Sequence, residues 1–189
     1  MDKVILRTER LVLEAPSFAD VDSITAACQD PEIQRRVPIP VPYTRSDAEG
    51  YVHSFSNPGW ESNQRCTWAI KVDGEMSGAI SLDGIESGQA LIGYWMTPLF
   101  RGRGLLTEAA QAVVDFGFAL APNGLGLKRI EWHAYAGNIA SARVARRVGF
   151  QFEGTLRLGA MGRFGREDDW VAGILADDVR SHQPWSILP

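Results

Sequence analysis

Between a predicted strand and a long predicted helix, the chain reads Pro98-Leu99-Phe100-Arg101-Gly102-Arg103-Gly104-Leu105-Leu106-Thr107-Glu108. This glycine-rich turn stands at a helix N-terminus, where free backbone N–H groups and the positive end of the helix dipole converge. Glycines let an anion approach the backbone closely, and Arg101 and Arg103 add charge-assisted contacts to a phosphate. The turn predicts an anion site; the alternative is an ordinary strand-to-helix turn with two surface arginines.

The turn does not match the common nucleotide-binding motifs. No Gly-Lys-Ser/Thr closes it, as in a Walker A loop, and it lacks the glycine spacing that opens a Rossmann unit. The helix that follows is predicted from about residue 104 by an apolar face made of Leu106, Ala109, Ala110, Val113, Phe116 and Leu120.

Strand patterns lie on both sides of this helix. The turn signals Asp73-Gly74 and Glu86-Ser87-Gly88 separate three short apolar runs upstream, which predicts an antiparallel meander over 66–72, 78–82 and 91–96. Downstream, the pattern predicts a strand, a helix and two further strands over 128–135, 139–148, 150–158 and 167–175. This order indicates an α/β (α+β) domain with a mixed sheet.

The first third of the chain predicts a strand followed by helices. Residues 4–14 alternate as a bent or paired strand, and residues 18–28 have helical spacing. Prolines then leave space for one short helix between 31 and 37. Ser46 and Glu49 form a predicted capping box for a helix that runs to about residue 55.

Composition favours one domain and excludes several classes of protein. The 189 residues are 45% hydrophobic and 22% charged, which is sufficient for one core. No apolar run is long enough to span a membrane, and we expect no secretory signal. The net charge of −4 argues against nucleic acid. Two cysteines and three histidines make no metal motif, so we expect a metal-free cytoplasmic protein.

A second motif begins the helix predicted at residue 139. Asn138 is a suitable N-cap and Gly149 a suitable C-terminal residue, so Asn138-Ile139-Ala140-Ser141 and Val148-Gly149-Phe150 are explained by helix capping alone. Capping does not explain the order in which the elements occur: a Gly/Arg turn, a helix, a strand, and then an Asn-x-x-Ser helix closed by Gly-Phe.

That order resembles the GNAT superfamily of acyl-CoA-dependent N-acetyltransferases, and its RimJ/RimL branch of ribosomal-protein N-terminal acetyltransferases most of all. The matching sequence segments are Leu11-Val12-Leu13, Ile92-Gly93-Tyr94-Trp95, Arg101-Gly102-Arg103-Gly104, Thr107-Glu108-Ala109, Asn138-x-x-Ser141, Val148-Gly149-Phe150, Glu153-Gly154 and Gly165-Arg166-x-Asp168. The resemblance implies a single GNAT-like domain over 1–176, with a mostly antiparallel central sheet and flanking helices, and a C-terminal tail over 177–189.

The resemblance also implies acetyl-CoA as co-substrate. The phosphate motif of the family is Gln/Arg-x-x-Gly-x-Gly/Ala; Arg101 and Gly104 match it, and Leu106 departs from it, which is tolerable if Leu106 faces the core. Backbone N–H groups would hold the pyrophosphate along Arg101, Gly102, Arg103, Gly104, Leu105, Leu106 and Thr107.

The pantetheine arm would lie between two further groups. The strand around Trp95 and Met96 would pair with its amides, much as a peptide adds to a sheet edge. Asn138 would reach the arm from the other side.

The implied mechanism is direct attack of a neutral amine on the thioester. The tyrosine that many family members carry seven residues after the asparagine is replaced by Ala145, and Ser141 is the nearest candidate to stabilise the leaving thiolate. Asp83 and Glu86 are candidate bases, although both lie in turn-forming sequences and a water relay is an alternative. His133 is interpreted as a packed residue of an alternating strand.

The resemblance therefore predicts an N-acetyltransferase for a primary amine, with a protein or peptide N-terminal α-amine as the first expectation. Acetylation of a small amine (an amino acid, a polyamine or an antibiotic) is one alternative. A non-catalytic acyl-CoA-binding regulator is another. The sequence leaves the oligomeric state open, with a homodimer as one option.

Overall fold

The computed structural model describes residues 1–181 and 184–188. In that part of the chain the strands are β1 (Leu6–Arg7), β2 (Val12–Glu14), β3 (Arg65–Val72), β4 (Glu75–Glu86), β5 (Gln89–Met96), β6 (Arg129–Tyr135), β7 (Gln151–Gly162) and β8 (Gly165–Leu175). The helices are α1 (Val21–Ala27), α2 (Pro31–Arg36), α3 (Arg45–Gly50), α4 (Asn57–Glu61), α5 (Leu105–Phe118) and α6 (Ile139–Val148). None of these helices is long and apolar enough to cross a membrane.

All the strands join one sheet in the order β1-β2-β3-β4-β5-β6-β8-β7. Neighbouring strands are antiparallel with one exception, the parallel pair β5 and β6. A parallel pair needs a crossover connection, and α5 supplies it. The predicted mixed, mostly antiparallel sheet with flanking helices is confirmed.

The parallel pair stops early. Its register runs from Gln89↔Arg129 to Ile92↔Trp132. Beyond that point the rest of β5 pairs with β4 alone and the rest of β6 pairs with β8 alone. Two strands that share no further hydrogen bonds separate, so the sheet opens between residues 93–96 and residues 133–135.

Helices cover both faces of the sheet. On one face α5 and α6 pack in the main core, which contains Ile80, Leu82, Ile92 and Ile130. On the other face α1, α2 and α3 form a second core, with inward residues Val21, Ile24, Ile33 and Ala48. Side chains alternate between the two faces along each strand, so odd-numbered residues of β5 and β6 face the second-core side.

The start and the end of α3 differ from the prediction. The capping box lies at Thr44 and Asp47, not at Ser46 and Glu49, and each side chain bonds the backbone N–H of the other residue. The helix therefore starts two residues earlier, and the exposed Glu49 pairs with Arg45 instead. A π-helical segment, Tyr51–Ser56, then continues the chain into α4.

The buried face of α5 is also rotated relative to the prediction. Leu105 is fully buried, whereas Leu106 is only partly buried beside the main core. Leu120 lies beyond the end of the helix and is 77% exposed. The expectation that Leu106 faces the core therefore holds only in part, because the helix begins with Leu105 directed inward.

The segment expected as a tail contributes to the main core. Trp185 and Leu188 are buried, and the Trp185 indole N–H donates to the Phe150 carbonyl at 3.2 Å. Trp185 also packs on the rings of Trp132 and Phe152. His182, Gln183 and Pro189 of the tail lie outside the described residues.

A buried ion pair attaches the start of α1 to the sheet. Asp20 accepts hydrogen bonds from the Ser17 backbone N–H and hydroxyl, and Lys71 Nζ lies 2.9 Å from Asp20 Oδ1 and 2.8 Å from Glu14 Oε1. Burial raises the pKa of Asp20, but the hydrogen bonds from Lys71 and Ser17 outweigh it and hold the pKa below its usual value.

We expect Asp20→Asn to destabilise the fold by about 2–3 kcal/mol at pH 7, because it leaves part of the charge of the half-buried Lys71 uncompensated. The pKa of Asp20 is lower in the folded state, so its contribution is present above about pH 4 and is lost as the pH falls through the folded-state pKa. Urea unfolding across pH 3–7 measures this loss. Asp22→Asn, which changes an exposed carboxylate next to the same helix start, is the control and should cost less than about 1 kcal/mol. Equal losses for the two variants at pH 7 would contradict the assignment.

Candidate functional site

A cavity of about 660 Å³ occupies the opening between β5 and β6. Its size suits a small-molecule or cofactor site. The residues that line it come from α2 and the segment after it, from β5, from the glycine-rich turn, from β6 and from α6; they include Ile33, Arg36, Tyr94, Trp95, Met96, Arg101, Gly102, Gly104, Leu105, Leu106, Thr107, Trp132, His133, Asn138 and Ser141.

The glycine-rich turn presents an open helix N-terminus to this cavity. Gly104 precedes α5 with φ +77°, a conformation that favours glycine, and it supplies no side-chain cap. The backbone N–H groups of Leu105, Leu106 and Thr107 belong to the first helical turn, which has no intrahelical acceptor for them. This end of the cavity therefore combines free donors with the positive end of a 14-residue helix.

Arg101 lies in the turn, but its guanidinium is bound within the protein. Its Nε donates to the Met96 carbonyl at 2.9 Å, and its terminal nitrogen donates to Asp30 Oδ1 at 2.6 Å. Asp30 also caps α2 by accepting from the Ile33 backbone N–H at 3.0 Å. Arg101 thus fixes the turn to the end of β5 and to α2, and the Met96 carbonyl is already occupied.

Arginines outside the glycine-rich turn place positive charge at the cavity. The Arg103 guanidinium stands over the Phe100 ring, 5.4 Å from its centre, and Arg103 does not line the cavity. Arg143 and Arg147 of α6 do line it. Neither Arg101 nor Arg103 therefore directs a free guanidinium to the cavity. The spacing of the motif did not predict this arrangement.

Ser141 lines the cavity. Its Oγ accepts a hydrogen bond from the Trp132 indole N–H at 3.0 Å. An indole N–H is a donor only, so the hydroxyl proton of Ser141 stays free to be donated. Asn138 Oδ1 accepts from the Ser141 backbone N–H at 3.3 Å, as predicted for an N-cap, and Asn138 also lines the cavity.

Tyr94 is a second hydroxyl beside Ser141. Its phenol donates to the Ser141 carbonyl at 3.0 Å. Burial raises the pKa of Tyr94, and hydrogen bonds with Ser141 and Trp132 oppose this rise only in part. The phenol is therefore protonated at neutral pH. A tyrosine of β5 therefore contacts the helix that carries Ala145, although the sequence has no tyrosine at position 145 itself.

The two candidate bases, Asp83 and Glu86, lie outside the cavity lining. Asp83 forms an ion pair with Arg65 and accepts from the Ser81 hydroxyl at 2.5 Å, on the sheet face that Gly93 shares. Glu86 is exposed near the β4–β5 turn, where it pairs in register with Gln89. The structure therefore does not bring either carboxylate together with Ser141.

His133 does line the cavity, and it is not simply a packed residue. Its Nδ1 lies 2.6 Å from Oδ2 of the buried Asp169 on β8. The alternating pattern around His133 gave no signal for this contact, because its partner is 36 residues away along the chain. Only the pairing of β6 with β8 brings the two side chains together.

Sequence comparison identifies relatives of this chain. The family model described as "Acetyltransferase (GNAT) domain" matches residues 10–151. An uncharacterized N-acetyltransferase of Bacillus licheniformis, p20, is 31% identical over 156 residues, which cover 80% of this chain and 85% of that protein.

Solved structures share the fold. RimL, described as a ribosomal L7/L12 alpha-N-protein acetyltransferase in complex with coenzyme A, superposes with a TM-score of 0.81 at 22% identity, covering 91% of this chain and 98% of RimL. Mycobacterium smegmatis RimJ gives a TM-score of 0.82 at 21% identity, covering 95% of this chain and 90% of RimJ. With a family match over most of its length and the sheet opening described above, the chain belongs to the GNAT family of N-acetyltransferases.

Proposed function

We propose that this protein transfers the acetyl group of acetyl-CoA to a primary amine, and that the amine is the N-terminal α-amine of a protein or peptide. The observation that carries the proposal is the cavity between β5 and β6, which runs from the open N-terminus of α5 past Ser141 to the second-core face. The RimL structure contains CoA, which supports the cofactor. RimL is described as an alpha-N-protein acetyltransferase, which supports the acceptor class.

The cofactor side of this proposal rests on backbone groups. The amides of Arg101, Gly102, Arg103, Gly104, Leu105, Leu106 and Thr107 would hold the pyrophosphate, since a helix N-terminus favours an anion. The pantetheine arm would lie along Trp95 and Met96, where the β5 edge has lost its β6 partner, and beside Asn138. Arg101 already donates to the Met96 carbonyl, which leaves that oxygen one further lone pair.

Ser141 would stabilise the departing thiolate. Trp132 supplies the N–H that Ser141 Oγ accepts, so the hydroxyl proton of this cavity-lining residue would be available to the sulfur. A donor that is fixed before charge develops lowers the barrier without further reorganisation. Tyr94, held on the backbone of the same helix turn, would keep this donor in place.

The first test concerns cofactor binding. At about 100 times its dissociation constant, CoA should stabilise the fold by about 2.7 kcal/mol. Gly104→Ala should remove most of this gain, because φ +77° strains a residue with a side chain and would displace the backbone N–H groups that would hold the pyrophosphate. Thermal unfolding with and without CoA measures the gain.

The matched control is Gly74→Ala. Gly74 has φ +84° and nothing within 4 Å of an added Cβ, so it carries similar backbone strain far from the cavity. It should lose stability but keep the full gain from CoA. An undiminished gain in Gly104→Ala would place the cofactor elsewhere.

The second test concerns Ser141. Ser141→Ala should lower kcat by about tenfold to a hundredfold, or roughly 1.4–2.7 kcal/mol, with a smaller change in KM for acetyl-CoA, because the contact strengthens only as charge develops on sulfur. Trp132→Phe removes the same hydrogen bond but keeps the hydroxyl, so it should lower kcat less than Ser141→Ala does. Normal turnover in Ser141→Ala would reduce Ser141 to a structural role.

The third test concerns the acceptor. An α-amine has a pKa of about 7.7–8.0 and a lysine side chain about 10.4, so at pH 7 roughly one α-amine in ten is neutral but fewer than about one lysine in a thousand. A short peptide with a free N-terminus should therefore be acetylated there, with a rate that rises to a plateau near the pKa of the amine. An N-terminally blocked peptide with an internal lysine is the control and should react poorly.

Faster turnover of blocked lysine peptides or polyamines at neutral pH would contradict the N-terminal assignment. Asp83→Asn and Glu86→Gln would then test whether either carboxylate acts on the acceptor from outside the cavity lining. If CoA binds but no amine is acetylated, the protein is an acyl-CoA-binding regulator.

A further inference from the structure

The second-core side of the cavity holds one imidazole. Along a strand, successive side chains point to opposite faces. The Trp132 indole reaches Ser141 on the α6 side, so His133, the next residue of β6, points to the other side of the sheet while still lining the cavity. His133 and Ser141 thus flank the opening from opposite faces, at the level where β5 and β6 separate.

A buried carboxylate orients this imidazole. Asp169 Oδ2 lies 2.6 Å from His133 Nδ1, and the Asp169 side chain is only 8% exposed. An ionised carboxylate at that distance requires the proton on Nδ1, which leaves the lone pair of Nε2 free to accept another. The His133 side chain is 32% exposed and lines the cavity, so the ring can be reached by a molecule there.

Charged groups from β6, β7 and β8 surround the His133 ring. Glu131 Oε2 lies 3.7 Å from His133 Nε2, and the Arg129 guanidinium binds both Glu131 and Glu153. Asp169 faces it from β8, and Glu153 faces it from β7. Arg129 compensates Glu131 and Glu153, whereas Asp169 contacts the ring directly.

The other candidate bases are less available. Asp83 is held by Arg65 and Ser81 and does not line the cavity, and Glu86 stands at an exposed turn. Glu32 lines the cavity but is 67% exposed and pairs with Arg36. Among the described residues that line the cavity, His133 is the base that a buried partner holds in one tautomer.

We propose that His133 is the general base of the acetyl transfer and that Asp169 is its positioning residue. The proposal rests on the proposed function for its amine acceptor. The amine nitrogen forms a bond to the thioester carbonyl carbon, and its proton passes to His133 Nε2. The carbon–sulfur bond then breaks, CoA leaves as a thiolate that Ser141 stabilises, and the thiolate takes up a proton to give free CoA and the amide.

His133→Gln should lower kcat for an acetylated peptide by about a hundredfold, with KM for acetyl-CoA changed less than threefold, because the change removes proton transfer and leaves the cofactor contacts. His53→Gln, at an exposed histidine in the π-helical segment, is the matched control and should behave as the wild type. Unfolding curves and CoA binding check that each variant is folded.

Imidazole distinguishes a base from a structural histidine. In His133→Ala, added imidazole should raise kcat at least tenfold. This increase should exceed any change that imidazole causes in the wild type and in His53→Gln. In Asp169→Asn the ring still fills the site, so kcat should fall at least tenfold and imidazole should not restore it. If His133→Gln is unstable, the response of His133→Ala to imidazole decides whether His133 is the base.

Hydrolysis of acetyl-CoA in the absence of amine separates this proposal from the proposed function. Water is then the nucleophile, and the same base should assist it, so His133→Gln should also slow the release of free thiol. If the wild type acetylates no amine, the proposed function fails, and the hydrolysis assay still tests His133. Normal rates of both reactions in His133→Gln, or no rescue by imidazole, would overturn the proposal.

Discussion

The site depends on one interruption in the sheet. The parallel pairing of β5 and β6 ends at Ile92↔Trp132, after which each strand keeps only its antiparallel neighbour. Buried backbone N–H and C=O groups require partners, so an opening between two strands is stable only if side chains, water or a ligand satisfy them. Arg101 satisfies one such group, the Met96 carbonyl, and the cavity leaves neighbouring positions accessible.

Trp132 and Tyr94 connect this opening to α6. The indole bonds the Ser141 hydroxyl and the phenol bonds the Ser141 carbonyl, so residues from both separating strands bind one helical residue. Asn138 fixes the same residue from the helix N-terminus through its backbone N–H. A hydroxyl held in this way loses little conformational freedom when it meets a developing charge, which is the condition for electrostatic stabilisation of a transition state.

The two faces of the sheet divide the chemistry. The α5 and α6 face offers helix-terminal amides, Asn138 and Ser141, which suit an anionic cofactor with a thioester. The opposite face offers the His133–Asp169 pair and several carboxylates, which suit a cationic or neutral amine. Arg101 links the two regions, because one guanidinium binds the end of β5 and the cap of α2, whose residue Ile33 lines the cavity.

The sequence by itself determined the mixed, mostly antiparallel sheet with its flanking helices and the N-cap of α6. Turn signals, a helical apolar face and the Asn138–Ser141 cap are local patterns, and the glycine turn lies beside its own helix. Tertiary structure alone decided that Leu105 rather than Leu106 is buried, that Arg101 binds Met96 and Asp30, and that Trp185 enters the core. It also decided the pairing of His133 with Asp169, because strand register brings distant residues together and no local periodicity encodes that register.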